Sequence, residues 1–146
     1  MSNKIFVASD HGGFDLKGKV VQLLENNYEI LDLGTHSTDS VDYPDYAIKM
    51  AKAIFEEPDS RGVLICGSGQ GMAITANRFS HIRAALCWNE EIAHLARAHN
   101  NANVLCLGGR VMDHDLALKV CNIFFTDTYE GGRHDRRLDK IKGAKL

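Results

Sequence analysis

Short apolar runs alternate along the chain with apolar stripes at helical spacing. Residues 5–9 form an apolar run ending in Asp10-His11-Gly12-Gly13, and Leu16, Val20, Leu23 and Leu24 then recur on one helix face. Residues 29–33 predict a second strand, closed by Gly34. A polar loop over 35–42 leads to Tyr43-Pro44-Asp45 and a stripe of Ala47, Met50, Ala51, Ile54 and Phe55. Pro58 and Gly62 bracket a turn before a third strand at 63–66. The Gly-rich segment Gly67-Ser68-Gly69-Gln70-Gly71 follows, opening a helix that runs to about Asn77. Strands at 84–87 and 104–107 flank a helix over 92–99, and Leu116, Val120, Ile123 and Phe124 mark another helix. The tail from Gly131 is charged, with Leu138 and Ile141 as the apolar anchors of a short final helix. Trp88 and Phe124-Phe125 read as core or interface residues.

Strands separated by single helices require parallel pairing with right-handed crossovers. The predicted fold class is therefore α/β: a three-layer α/β/α, Rossmann-like domain with a parallel sheet of about five strands and a C-terminal helix. The 146 residues fit one domain, 1–146, and show no internal repeat and no low-complexity linker. Ligands in such folds bind at the carboxyl ends of the strands. That selects Asp10 to Gly13, the loop after residue 33, Cys66 to Gly71, Asn89-Glu90 and Gly108-Gly109-Arg110.

Composition narrows the choice of partner. Lys plus Arg total 17 against 19 Asp plus Glu, a formal charge of −2, which disfavours a general nucleic-acid binder. The longest unbroken apolar run, 84–88, is far shorter than the ~20 residues of a spanning helix, so no membrane role is expected. The four cysteines are widely spaced with no CxxC pair, which with the lack of a leader-like start predicts a reduced, cytoplasmic protein.

The strongest local chemistry is Cys66-Gly67-Ser68-Gly69-Gln70-Gly71. Glycines let successive amides point into one concavity, and a helix N-terminus adds positive potential, a setting for an oxyanion or phosphate. A cysteine beside it is either a reactive nucleophile or base, or a buried residue on a tight turn. Two familiar motifs fail. A cysteine-phosphatase loop needs an arginine where Met72 stands, and a dinucleotide fingerprint finds Met72 or Ile74 in place of its third glycine. A phosphoacceptor aspartate at the end of the third strand is also missing, because Cys66 occupies that place. Asp10 and His11 could orient a ligand or move protons, or simply cap a helix. His99 at a helix end is a proton donor or a dipole partner, with Asn100 and Asn101 at the cap. Arg133 and Arg137, four apart, would share a face of the final helix as a phosphate clamp or as a solvated basic face. His134 falls on the other stripe, with Leu138 and Ile141. No metal-ligand spacing stands out, and neither metal nor cofactor is expected.

These segments together resemble the ribose-5-phosphate isomerase B family, which also holds the galactose-6-phosphate and allose-6-phosphate isomerases. The resemblance is carried by Ser9-Asp10-His11-Gly12-Gly13, Asp42-Tyr43-Pro44, Ile65-Cys66-Gly67-Ser68-Gly69 and Ile82-Arg83-Ala84, and by 99–104, Gly109-Arg110 and 129–134. It spans nearly the whole chain. It implies a metal-independent aldose–ketose isomerase acting through an enediolate. Cys66 would be the base. His99, with Asp10 nearby, would open the sugar ring, and Ser68 with the amides of Gly67, Gly69, Gln70 and Gly71 would hold the oxyanion. His11, Arg110, Arg133 and Arg137 would hold the phosphate. It further implies a homodimer, possibly paired into a tetramer, with the site between subunits and His99, Asn100 and Arg110 serving the partner's Cys66. Branches without the cysteine use a glutamate shortly after; here Ala73 and Ile74 stand in that stretch, so the cysteine branch applies and ribose 5-phosphate is the expected substrate. Alternatives are a hexose 6-phosphate isomerase and a non-catalytic phospho-ligand binding module on the same fold.

Overall fold

The computed structural model describes residues 2–146. In chain order the elements are β1 (Lys4–Ser9), α1 (Phe14–Leu24), β2 (Glu29–Asp32), α2 (Tyr43–Glu56), β3 (Arg61–Cys66), α3 (Gln70–Ala76), β4 (Ala84–Leu86), α4 (Glu90–Ala98), β5 (Val104–Gly108), α5 (His114–Thr126) and α6 (Asp135–Lys142), with 3₁₀ turns at His11–Gly13 and Gly132–His134. The five strands form one parallel sheet in the order β2-β1-β3-β5-β4.

That order fixes the layers. A right-handed crossover places its helix on one face when the chain steps one way along the sheet and on the other face when it steps back. The steps β1 to β2 and β4 to β5 run in one direction, so α1 and α4 share a face, and α5 packs with them. Leu16, Val20 and Leu24 of α1, Ala93 and Ala96 of α4, and Phe124 and Phe125 of α5 close this core over Ile5, Val7, Ile65 and Leu105. The other face carries α2 and α3, with Ala47, Met50, Ile54, Met72 and Ala76 against Phe6, Leu64 and Cys106. The three-layer expectation holds. β3 is buried along its whole length, as a central parallel strand covered on both faces must be.

Element boundaries moved where tertiary pairing overrides local signals. Gly62, expected in the turn, pairs with Val104, and β3 begins at Arg61. β4 ends at Leu86, because Asn89 already caps α4: its Oδ1 accepts the Ile92 N–H at 2.9 Å. The final helix corrects two expectations. It starts at Asp135, so Arg133 lies outside it in the 3₁₀ turn, following left-handed Gly131 and Gly132 (φ 70° and 60°). It also buries no residue, and Ile141 is 55% exposed rather than anchored. Phe124 and Phe125 are core, whereas Trp88 is 56% exposed at the edge strand β4. Among the described residues, no helix is long and apolar enough to cross a membrane.

One buried ion pair ties the first helix to the loop beside the strand ends. The Lys17 ammonium, nearly inaccessible, donates to both Asp32 carboxylate oxygens at 2.6 and 2.7 Å and to the Thr35 carbonyl at 2.7 Å. Thr35 in turn donates its N–H to the Ser9 carbonyl at 2.8 Å. Replacing Lys17 with Met keeps the aliphatic stem but strands the carbonyl and the carboxylate. Because Asp32 keeps some water contact, the expected loss is about 2–3 kcal/mol, below the full cost of breaking a buried pair, measured by urea unfolding with an unchanged m value.

Candidate active site

β1, β3 and β5 are neighbours and end at the same edge of the sheet, so the loops after them meet. After β1, the Asp10 carboxylate accepts the Gly13 N–H at 3.1 Å and caps the 3₁₀ turn. His11 Nδ1 accepts the Val41 N–H at 3.2 Å, which leaves Nε2 carrying the ring proton and able to donate to a ligand oxygen. After β3, the Gly69 N–H donates to Cys66 Sγ at 3.2 Å and the Gln70 N–H to Ser68 Oγ at 3.3 Å. Gly69 takes a left-handed conformation (φ 80°), which lets the chain turn from β3 into α3. Within the described residues, the amides of Gly67 and Ser68 donate to nothing.

The loop after β5 clamps this nest. The Gly109 N–H donates to the Cys66 carbonyl at 2.8 Å, and the Arg110 N–H to the Gly67 carbonyl at 3.0 Å. Packing is so close that a Cβ built on Gly12 would stand 3.2 Å from the Gly67 nitrogen, 3.3 Å from the Arg110 guanidinium carbon and 3.3 Å from Asp10 Oδ1. Asp10, Gly67 and Arg110 therefore converge on one point. Arg110 covers its own chain's nest, not a partner's as the resemblance implied. The reason is the pair of backbone bonds that hold its loop against Cys66 and Gly67.

Tyr43, at the start of α2, lies over Gly71: a Cβ there would come within 2.5 Å of the ring. The ring is 39% exposed and forms a wall of the nest. It was not singled out from the sequence as a site residue. The available signal was an aromatic residue set directly before the proline that opens a helix.

The remaining expected residues lie elsewhere. α4 starts beside the carboxyl end of β4 and runs back along the sheet for nine residues, about 13 Å at helical rise, so His99 at its C-cap sits toward the opposite edge from Cys66. The following loop is held rigidly. Buried Arg97 donates to Asn101 Oδ1 at 3.0 Å and to the Ala102 carbonyl at 2.5 Å. Asn103 Oδ1 accepts the Arg83 N–H at 2.7 Å. Burial lowers Arg97 to about 10, which leaves it charged at neutral pH. Asn100 is exposed, and Asn101 takes the left-handed conformation (φ 46°) that asparagine tolerates.

The C-terminal turn docks on this end. The Glu130 N–H donates to the Ala98 carbonyl at 3.0 Å, and the His134 ring stacks on His99 with centroids 4.2 Å apart. His134 is buried where it stacks on His99, while α6, which carries Leu138 and Ile141, has no buried residue. Arg137 Nη1 donates to the Arg133 carbonyl at 3.0 Å, so the two exposed arginines stay adjacent although only Arg137 is on α6. The sequence offered no metal-ligand spacing, yet the fold brings His99, Glu130 and His134 together, with ligand atoms all within 4.8 Å of one another. The candidate residues thus fall into two groups. Asp10, His11, Cys66 to Gly71 and Arg110 form one; His99, Asn100, Arg133 and Arg137 form the other.

Comparison with known proteins identifies the family and the fold. Residues 5–141 match the model of the Ribose/Galactose Isomerase family. Ribose-5-phosphate isomerase B of Escherichia coli K12 is 42% identical over 139 residues, 94% of this chain and 93% of that protein. The structure of a ribose 5-phosphate isomerase from Thermotoga maritima superposes with TM-score 0.93 at 48% identity, covering 97% of this chain and 98% of that one. The structure of ribose-5-phosphate isomerase B from Mycoplasma genitalium, with bound ribulose-5-phosphate, superposes with TM-score 0.93 at 41% identity, covering 96% and 94%. The fold and the site define an isomerase of the α/β class. The chain belongs to the ribose/galactose isomerase family, in its ribose-5-phosphate isomerase B group.

The cysteines differ in surroundings. Burial pushes the Cys87 and Cys121 thiols up to about 12 and raises Cys106 as well. Those three stay protonated at neutral pH, and only the thiolate alkylates. Iodoacetamide applied to the native protein near pH 7 is expected to label Cys66 first, with the other three reacting only after unfolding; peptide mass mapping over time reads the order.

Proposed function

We propose that the protein interconverts ribose 5-phosphate and ribulose 5-phosphate, with Cys66 as the base. The observation that carries this reading is a sulfur at the floor of an amide nest onto which Asp10 and Arg110 also converge. The family and the relative that holds ribulose-5-phosphate support it.

The chemistry follows from the groups present. Ring opening needs a proton delivered to the ring oxygen and one taken from the anomeric hydroxyl. His99 donates the first and Asp10 receives the second. In the open-chain aldose, the Cys66 thiolate takes the C2 proton. The electron pair moves toward the C1 carbonyl, giving an enediolate. The proton then returns to C1, and the hydroxyl proton on O2 passes to O1, leaving the ketose. Charge develops on oxygen in the transition state. The free amides of Gly67 and Ser68, with the Ser68 hydroxyl, meet it there, while the Gly69 and Gln70 amides hold Cys66 Sγ and Ser68 Oγ in place; preorganised donors of this kind are worth about 3–4 kcal/mol each where measured. A positioned base adds roughly 10²–10⁴-fold. His11, Arg110, Arg133 and Arg137 neutralise the phosphate. His99 and Asp10 carry the protons of ring opening and Cys66 the proton moved from C2 to C1, while the O2 proton passes directly to O1; we write the reaction without a metal.

His99 and the tail arginines stand toward the opposite edge of the sheet from Cys66 in the same chain. One chain therefore offers half of each site, and the reading requires a homodimer in which His99 of the partner subunit faces Cys66. An apolar groove of ≈ 750 Å³ beside β4, lined by Leu86, Trp88, Ile92 and Ile141, supports pairing along that edge. Free cysteines fit a reducing compartment such as the cytoplasm. We read residues 1–146 as one isomerase domain.

The Cys66→Ala variant is expected to fold normally and to lose turnover of ribose 5-phosphate by at least ~100-fold, the lower bound for a positioned base. A variant that turns over normally removes Cys66 from this role, and phosphate-ester binding by a wild-type protein that turns over neither pentose nor hexose phosphate favours a binding module. Mixing unfolded Cys66→Ala and His99→Ala chains and refolding them together tests the shared site. Random pairing restores one intact site in half of the dimers, about a quarter of the wild-type rate. Sites built within single chains would restore nothing.

A further inference from the structure

We infer that His99, Glu130 and His134 form a binding site for a divalent transition-metal ion such as Zn²⁺, and that its occupation switches the isomerase off by capturing His99. The inhibitory half of this inference rests on the role proposed above for His99; the binding half does not.

Three observations carry the site. First, both imidazoles bring Nε2 near the same carboxylate oxygen: Glu130 Oε2 lies 3.6 Å from His134 Nε2 and 3.9 Å from His99 Nε2. These gaps are too long for hydrogen bonds. They are slightly wider than the ~3.3–3.5 Å between two ligands of one tetrahedral zinc, whose bonds are each about 2.0–2.2 Å. The rings are stacked 21° from parallel, so one ring must rotate about its Cβ–Cγ bond for an ion to take an in-plane lone pair from each. Second, the His134 side chain is only 9% exposed, and its Nε2 has no hydrogen-bond partner. A buried nitrogen near a carboxylate it does not reach is an exception among folded proteins. An ion seated among the three atoms would satisfy it. Third, the ligands are held by backbone and not by chance side-chain placement. The Glu130 N–H bonds to the Ala98 carbonyl at 3.0 Å, next to His99, and the His134 N–H bonds to the Gly131 carbonyl at 3.2 Å. Glu130 and His134 are then four residues apart across the turn at Gly131 and Gly132, facing a histidine 31 residues before Glu130.

The donor set selects the ion. Two imidazole nitrogens and one carboxylate suit Zn²⁺, Co²⁺ or Ni²⁺, whereas Ca²⁺ and Mg²⁺ require oxygen ligands. Arg133 and Arg137 are close by and oppose any cation, so chelation by nitrogen must supply the affinity. Three protein ligands leave a fourth position open. A His99 that has given its lone pair to the ion can no longer hold the proton that ring opening needs.

Co²⁺ is a spectroscopic stand-in for Zn²⁺. Metal-free, full-length protein is titrated with Co²⁺ in the visible region, with Zn²⁺ as competitor, for wild type, Glu130→Gln, His134→Ala and Cys66→Ala. Wild type is expected to bind one Co²⁺ per chain with a nitrogen/oxygen spectrum lacking thiolate charge transfer. Glu130→Gln and His134→Ala should each weaken binding about tenfold or more, and Cys66→Ala should leave it unchanged. Zn²⁺ should also inhibit turnover of ribose 5-phosphate, reversibly by chelator and less effectively in Glu130→Gln. Absence of Co²⁺ binding, binding that either ligand variant leaves intact, or binding lost with Cys66 overturns the site. If His134→Ala fails to fold, Glu130→Gln, altered at a half-exposed carboxylate, decides alone. Zn²⁺ that binds without slowing turnover overturns the inhibitory half. A wild type inactive on ribose 5-phosphate tells against the proposed reaction, and the Co²⁺ titration still stands or falls separately.

Discussion

Parallel pairing of β3 between β1 and β5 is the constraint on which the rest of the structure depends. Parallel strands all finish at one edge, so whatever follows β1, β3 and β5 must meet there. The ladder runs from Ile5 beside Arg61 through to Ser9 beside Ile65, and from Gly62 beside Val104 to Cys66 beside Gly108. Three loops from distant parts of the chain are thereby stacked within hydrogen-bonding reach. The Gly109 and Arg110 amides then lock onto the carbonyls of Cys66 and Gly67. The nest is thus held by the sheet, and its unpaired amides need no reorganisation to meet a charge.

The same geometry explains why the candidate residues are divided. A helix that follows a parallel strand must return the chain to the opposite edge before the next strand begins. His99 ends such a helix, and the C-terminal turn docks beside it through Glu130 and the His99–His134 stack. Cys66 and His99 are therefore carried to different edges by the rule that makes the fold possible. On the proposed chemistry, a second copy of the chain is the economical way to face one end with the other. The exposed Trp88 and Ile141 and the short, uncovered strand β4 lie where such a copy could pack.

The four cysteines show how position separates reactivity from packing. Cys87, Cys106 and Cys121 are buried, and burial is the main cause that raises their thiols, with neighbouring cysteines adding to it for Cys106 and Cys121. Cys66 is also buried, at the rim of the core where β3 ends, and a backbone N–H is aimed at its sulfur. Arg97 is the cationic counterpart. It is buried beside the His99 loop, where its bonds to Asn101 and Ala102 shape the turn that follows α4.

The alternation of apolar runs and helical stripes was enough to read five strands, the intervening helices and a three-layer sheet, because burial on both faces leaves a continuous apolar signature and each crossover helix a periodic one. Glycine spacing around Cys66 was also legible, since only that composition allows the turn. Strand order was not, because periodicity carries no information about which strand lies beside which. Gly62 read as a turn residue until its pairing with Val104 placed it in a strand. Arg133 read as helical until Gly131 and Gly132 tightened the chain into a 3₁₀ turn. Tyr43 over Gly71, Arg110 over its own nest, and Glu130 between two histidines are contacts across 28 residues or more, or through a turn whose geometry the sequence does not state. The sequence by itself determined the residue types available for chemistry and the elements that carry them. Only the tertiary structure decided which of them share an edge of the sheet, because that follows from strand order and crossover direction, which are properties of the packed chain as a whole.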